Sequence, residues 1–227
     1  VMTSCLGLLV GLAKDSPSYY ESLVPYIILL LTRLVVHKVC RRWYFYYDTA
    51  APWLQVKLLQ FLQLYPISTE QDREKLNEAL GKIFYDINLS ESVNKTNADH
   101  SILFEAINLI IQQGPSSNPE LRNQAMDLLG RFISVKEPNI RYLGLETMSK
   151  LARLEGNENI KKHKKVVMIS LKDADLSMRK RALDLLFVIS DQSNAEEIVE
   201  ELMPHLEDTD PNMKEEMVLK IAILAEK

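Results

Sequence analysis

The sequence predicts an all-α fold, a HEAT/armadillo-like α-α superhelix (solenoid) of antiparallel helix pairs, and three observations predict it. A short phrase occurs five times, as Ala51-Pro52-Trp53-Leu54-Gln55, Asn118-Pro119-Glu120-Leu121-Arg122, Glu137-Pro138-Asn139-Ile140-Arg141, Asp175-Leu176-Ser177-Met178-Arg179 and Asp210-Pro211-Asn212-Met213-Lys214. An Asp, Glu or Asn ahead of proline suits the N-cap and first helical positions, because the side chain accepts orphan amide protons and proline has no amide to leave unpaired. After the phrase an apolar face returns at helical period, in Leu121, Ala125, Leu128, Leu129 and Phe132 and again in Met178, Ala182, Leu185, Leu186 and Ile189, with the same small residue in the same slot. Spacing supplies the third observation: 118 to 137 is 19 residues, 137 to 175 is 38, and 175 to 210 is 35. One helix with its turn takes about 19 residues and a pair about 38, the period of a solenoid whose hairpins bury their apolar faces only against neighbours. Arrays of this kind act mainly as binding scaffolds.

Taken in order, the pattern predicts a first helix over 2–14, closed by Asp15 and Ser16-Pro17. A second, broken helix runs to about 37, with Pro25 either near its start or kinking it. Residues 37–49 lose the period. Arg41, Arg42 and the run Trp43-Tyr44-Phe45-Tyr46-Tyr47 read as a connecting segment whose rings pack on the solenoid edge, with an aromatic cage or base-stacking platform as the alternative. A helix over 52–65 carries Leu54, Leu58, Phe61 and Leu62 on one face and stops at Pro66. Ser68-Thr69 then caps a helix to about 86, and the polar residues 88–99 read as a loop. Helices follow at about 100–113, 119–134, 138–154, 158–171, 176–191, 194–206 and 211–226. The whole reads as a single solenoid segment over 1–227, with flexible joints near 38–50 and 88–99, and both ends read as cuts inside a longer protein.

Composition narrows the function classes. With 47% hydrophobic residues and seven glycines among 227, the chain can form a large core, and neither disorder nor a glycine-turned β-sandwich fits. The 27 basic and 31 acidic residues give a net charge of −4, so there is no overall drive toward nucleic acid or an anionic membrane. The charge is uneven, however, with Lys161-Lys162-His163-Lys164-Lys165 and Arg179-Lys180-Arg181 set against an acidic stretch over 196–216. Two readings stand: solvated helix faces, or contact by Lys161, Lys162, Lys164, Lys165, Arg179 and Arg181 with a partner or an anionic lipid headgroup. Cys5 and Cys40 make neither a disulfide framework nor a metal site. The apolar opening over 1–13 lacks a basic n-region, and the apolar run 23–31 is too short to span a bilayer and carries Pro25. The expectation is a cytosolic chain.

Catalysis needs a nucleophile beside a base, paired carboxylates in a cleft, or ligands at metal spacing, and the sequence shows none of these. His37, His100, His163 and His205 are scattered, as are the glycines, so no catalytic, cofactor-binding or metal residue is assigned and no cofactor is expected. Gly130 and Gly144 read as points of close helix approach. Arg122, Arg141 and Arg179 recur after the apolar anchor, with Asp127, Glu146 and Asp184 five residues further on. That offset does not put a pair on one helical stripe, so bonds to the neighbouring repeat are expected in place of intrahelical pairs.

Several phrases are more specific than the repeat. The runs Ala51-Pro52-Trp53-Leu54-Gln55-Val56-Lys57-Leu58-Leu59, Leu103-Phe104-Glu105-Ala106-Ile107, Asn139-Ile140-Arg141-Tyr142-Leu143-Gly144-Leu145-Glu146, Asp191-Gln192-Ser193-Asn194-Ala195 and Val218-Leu219-Lys220-Ile221-Ala222-Ile223-Leu224-Ala225-Glu226-Lys227 closely resemble the middle of the trunk of the α-adaptins. These are large subunits of the heterotetrameric clathrin adaptor of the plasma membrane. The likeness runs in order from about residue 2 onward and exceeds that to the γ-adaptins, which share the Asn-Ile-Arg-Tyr phrase. It implies a non-enzymatic scaffold that cradles the small σ subunit, pairs with the β and μ subunits, and serves clathrin, cargo tails and phosphoinositide membrane through the whole complex. It also implies a cytoplasmic protein, peripheral at plasma-membrane clathrin-coated pits. The family's principal phosphoinositide and dileucine sites lie outside this stretch, so no residue is carried over for them. Another HEAT-repeat scaffold, such as a nuclear transport receptor or an enzyme regulatory subunit, is the alternative.

Overall fold

A computed structural model describes residues 1–86, 92–155, 158–207 and 209–226. Its elements in chain order are α1 (Met2–Asp15), α2 (Val24–Val35), a small hairpin of β1 (Phe45–Tyr46) and β2 (Thr49–Ala50), α3 (Pro52–Leu62), α4 (Glu70–Tyr85) and α5 (Val93–Gln113). Then come α6 (Pro119–Phe132), α7 (Pro138–Glu155), α8 (Glu158–Lys161), α9 (Lys164–Ser170), α10 (Leu176–Ile189), α11 (Ala195–Leu202) and α12 (Pro211–Ala225). The fold is all-α apart from the four-residue hairpin ladder. Two compact units, 1–125 and 126–227, divide inside α6.

In the first unit α1 packs on α3 and α3 on α5, while α2 packs on α4, and α2 and α4 also touch α3 and α5 respectively. Helices two apart in sequence therefore stack into two rows, which is solenoid packing. The central helix α3 buries Leu58, Leu59, Phe61 and Leu62 completely, against a core that includes Leu31 of α2, Leu80 of α4 and Leu103 and Ile107 of α5. Each such side chain contributes about 1.5–3 kcal/mol by leaving water. Polar ties fix the stacking of α3 on α5: Gln60 and Gln63 donate from Nε2 to the two Glu105 carboxylate oxygens at 2.6 and 2.7 Å.

In the second unit α7 packs on α10 and α10 on α12, with α9 against α10 and α11 against α12. The stacked row α7, α10, α12 consists of the helices opened by the phrases at 137, 175 and 210, so the 38- and 35-residue spacings are the pitch of that row. The small-residue slot is also structural, since Ala125 and Ala182 are both fully buried within the apolar face of their helices.

All five phrases stand at helix starts. Asn118 accepts from the amide of Glu120 at 2.8 Å, and Asp175 from that of Ser177 at 2.7 Å, as N-cap chemistry requires. Thr69 caps α4 through the Asp72 amide. Pro25 sits in the first turn of α2 and does not kink it. Ala51 precedes α3 with φ 45°, and the buried Gln55 side chain turns back to donate to the Ala50 carbonyl at 2.7 Å.

Three local readings are corrected. Of the expected loop over 88–99, residues 87–91 lie outside the described residues, but α5 already begins at Val93. Ser92 caps it, Lys95 and Asp99 pair at 2.9 Å one turn apart, and Ala98 is buried, so a polar outer face concealed a helix. The helix expected over 158–171 is broken at 162–163, where the His163 amide donates to the Ile160 carbonyl three residues back and tightens the turn. The rings of Trp43, Tyr44 and Tyr47 are exposed, not packed on an edge.

Candidate interaction surfaces

The basic run is held by α8, the turn after it and α9. Lys161 reaches Asp191 at 2.8 Å, Lys162 pairs with Asp127, and Lys164 lies 2.8 Å from Glu197 and 3.8 Å from Glu201 on α11. Lys165 is exposed, and no carboxylate among the described residues pairs with it. An open groove of about 800 Å³ lies between the run and α11, lined by these lysines with Met168, Ile169, Lys172, Pro204 and His205. Ile169 is 70% exposed there. The lysine and hydroxyl bonds from Lys161 and Ser193 hold the Asp191 carboxyl down at about 2.

Arg179 and Arg181 do not join that cluster. Arg179 donates to the backbone carbonyls of Asp173 and Ala174, while Arg141 of α7 pairs with the Asp173 carboxylate, so both arginines clamp the turn before α10. Arg181 donates to the Tyr142 hydroxyl at 3.0 Å, lies 5.2 Å from that ring's centroid, and sits 3.7 Å from Asp184. Lys220 of α12 in turn bonds Asp184 and Glu216. Tyr142, Arg181, Asp184 and Lys220 thus form a polar ladder across α7, α10 and α12.

Arg141 and Arg179 turn to the residues before α10 and not to Glu146 and Asp184. Arg122 turns back onto the Ser117 carbonyl at 2.6 Å, as Arg179 does onto its own preceding turn. Asp127 and Asp184 instead meet Lys162 and Lys220, 35 and 36 residues on. Those offsets equal one repeat, which is the sequence signal that would have located these partners. Glu146 pairs within its own helix, with Lys150 at 3.0 Å.

Both singled-out glycines are close-approach points. A Cβ at Gly130 would lie 2.1 Å from Cε1 of His163, and one at Gly144 would lie 3.1 Å from Ile133 Cγ2. Burial over Gly130, helped by Lys162 and opposed by Asp127, pushes the His163 imidazole below its ordinary value. Among the described residues no group of three or more His, Cys, Asp or Glu is placed to hold a metal ion, and no helix is long and apolar enough to cross a membrane.

The family model described as the adaptin N terminal region matches residues 1–227. The chain belongs to the adaptin N-terminal family. Within it, this adaptin segment is 44% identical over 229 residues to the AP-2 complex subunit alpha-1 of Arabidopsis thaliana, covering 100% of the chain and 22% of that protein. It is 44% identical over 232 residues to the AP-2 complex subunit alpha-2 of Dictyostelium discoideum, covering 100% and 23%. With the AP-2 complex subunit alpha of Schizosaccharomyces pombe it shares 35% identity over 185 residues, 81% of the chain and 21% of the relative. The adaptin segment therefore spans about a fifth of the length of these relatives.

Proposed function

We propose that this adaptin segment is a non-enzymatic scaffold within the α large subunit of the heterotetrameric clathrin adaptor, working through protein interfaces with the β, μ and σ subunits. The observation that carries the reading is a match to AP-2 α subunits along the entire chain. The two-row stacking supports it, because rows of helices offer long side faces on which large obligate interfaces can form. Clathrin and cargo tails are engaged through the whole complex, at plasma-membrane coated pits, with the protein peripheral to the membrane.

In the same reading, contact of the basic run with a partner or lipid headgroup falls on Lys165. Lys161, Lys162, Lys164, Arg179 and Arg181 form the framework behind it, since their charges already meet carboxylates, carbonyls or a phenol within the unit. The test of function is affinity purification of the full-length protein from its own cells with identification of stoichiometric partners. Recovery of β, μ and σ adaptor subunits is expected. Recovery of a nucleotide-loaded GTPase or of a phosphatase catalytic subunit in their place would move the chain to another class of scaffold.

A further inference from the structure

We propose that the segment 41–53 is an interfacial anchor that seats on the surface of a bilayer containing anionic lipid. Four large amphipathic rings stand open to solvent within eleven residues: Trp43 at 71% exposure, Tyr44 at 58%, Tyr47 at 50% and Trp53 at 52%. Indole and phenol rings are the side chains that settle at the level of lipid headgroups, with an apolar body toward the acyl chains and a polar atom toward water. Leaving four of them hydrated is unfavourable unless a surface covers them.

The charge beside them has the matching sign. Arg41 and Arg42 are exposed, and neither pairs with a carboxylate among the described residues; the Arg41 guanidinium lies 5.7 Å from the Trp43 ring centroid. Lys38 reaches Asp86 at 3.9 Å, and Asp48 lines the neighbouring cleft with Lys38, Asp86 and Lys95, so Arg41 and Arg42 are the cations of this segment left without a carboxylate among the described residues. In the 161–165 run, by contrast, three lysines are held by acids of the same unit. Uncompensated guanidiniums next to exposed rings favour anionic headgroups.

The segment is also braced. Phe45 pairs with Ala50 and Tyr46 with Thr49, Tyr47 takes a left-handed φ of 52° at the turn, and Tyr46 meets Tyr47 at 5.0 Å and Trp53 at 5.7 Å between ring centroids. Side chains ordered beforehand lose little entropy on docking. The cleft beside the hairpin is lined by Thr49, Asp99 and other polar and aliphatic groups and by none of the four rings, so the rings meet a surface and not a peptide threaded in a groove. Rings and guanidiniums alike belong to this chain, so the anchor does not rest on the adaptor reading.

Trp43 and Trp53 are the two tryptophans of the sequence, so intrinsic fluorescence reads the site directly. The experiment is titration of the 227-residue chain with phosphatidylcholine vesicles containing one-fifth phosphatidylserine (about 20%, enough to set an anionic surface potential), with and without brominated acyl chains, alongside co-sedimentation. The expected result is an emission shift to shorter wavelength, quenching by the brominated lipid, and loss of both in high salt. Arg41→Glu with Arg42→Glu should weaken partitioning on the order of tenfold at low salt, and Trp43→Ser with Tyr44→Ser should weaken it while leaving far-ultraviolet circular dichroism unchanged. Lys165→Glu should leave the quenching intact. Co-sedimentation without tryptophan quenching would place the contact elsewhere and overturn the proposal. So would absence of vesicle binding coupled with an emission shift on adding partner subunits, which would make the surface a protein interface.

Discussion

At the scale of single residues, the contact between Gly130 and His163 sets the sharpest expectations. A methyl group at position 130 would overlap the imidazole, which already sits in a packed turn, so relief requires moving the ring or the helix. Gly130→Ala should cost about 2–3 kcal/mol, seen as a fall of roughly 5–10 °C in the thermal midpoint. The pH dependence has a definite sign. The folded state lowers the His163 pKa, chiefly by burial, so it binds fewer protons than the unfolded chain. Stability is therefore full above the unfolded value of about 6.5 and falls as pH drops through 6.5 toward the depressed folded value. Urea midpoints at about pH 7.5 and 5.5 should differ for the wild type, and the difference should shrink in His163→Asn. Lys162 and Asp127 are the charged groups that act on the ring, the first lowering and the second raising its pKa. Asp191 works oppositely. Its folded value of about 2 lies below the unfolded one, so its contribution is present above about 3.9 and disappears only as pH falls toward 2. It is silent between pH 7.5 and 5.5, which keeps the histidine signal clean.

At the scale of elements, caps and turns separate what the sequence showed from what it hid. Asp175→Ala removes the acceptor for the Ser177 amide at the start of α10 and should cost about 1 kcal/mol. Ala51→Gly should be neutral or stabilise by a few tenths of a kcal/mol, since a φ of 45° disfavours a Cβ while glycine adds unfolded-state entropy; equilibrium urea unfolding of both variants checks the contrast. The helix starts at 52, 119, 138, 176 and 211 were legible because capping chemistry is local. The first two turns of α5 were not, because Asn94, Lys95, Thr96 and Asn97 carry no apolar period and the helix there rests on the Ser92 cap and the Lys95–Asp99 pair. The break between α8 and α9 was likewise hidden: it falls where the His163 ring packs over Gly130, a contact 33 residues distant in the chain. The basic run looked like one patch in sequence. Its charges are instead distributed among acids one repeat away, and a linear reading of charge cannot see that without the pitch.

At the scale of the whole molecule, rows of helices bury the faces between members and leave the outermost members half covered. Helix α1 exposes the apolar side chains Leu8 and Leu12, and α12 exposes Val218, Leu219 and Ile223. Contiguous apolar exposure of this kind promotes association in water. The 227-residue chain in isolation should therefore self-associate with rising concentration, shown in sedimentation velocity as a weight-average coefficient that climbs with loading. Two substitutions separate this from general instability. Leu219→Lys places a charge on an exposed site, so it should suppress association while leaving the thermal midpoint within a degree or two, because surface changes are usually within about 0.5 kcal/mol. Leu58→Ala empties a fully buried position in α3 and should cost about 2–5 kcal/mol without first removing the exposed faces of α1 and α12. If the wild type stays monomeric at the highest attainable concentration, those apolar faces are tolerated by solvent. If Leu219→Lys associates as strongly as wild type, α12 is not the face involved and α1 becomes the one to charge, through Leu8→Lys.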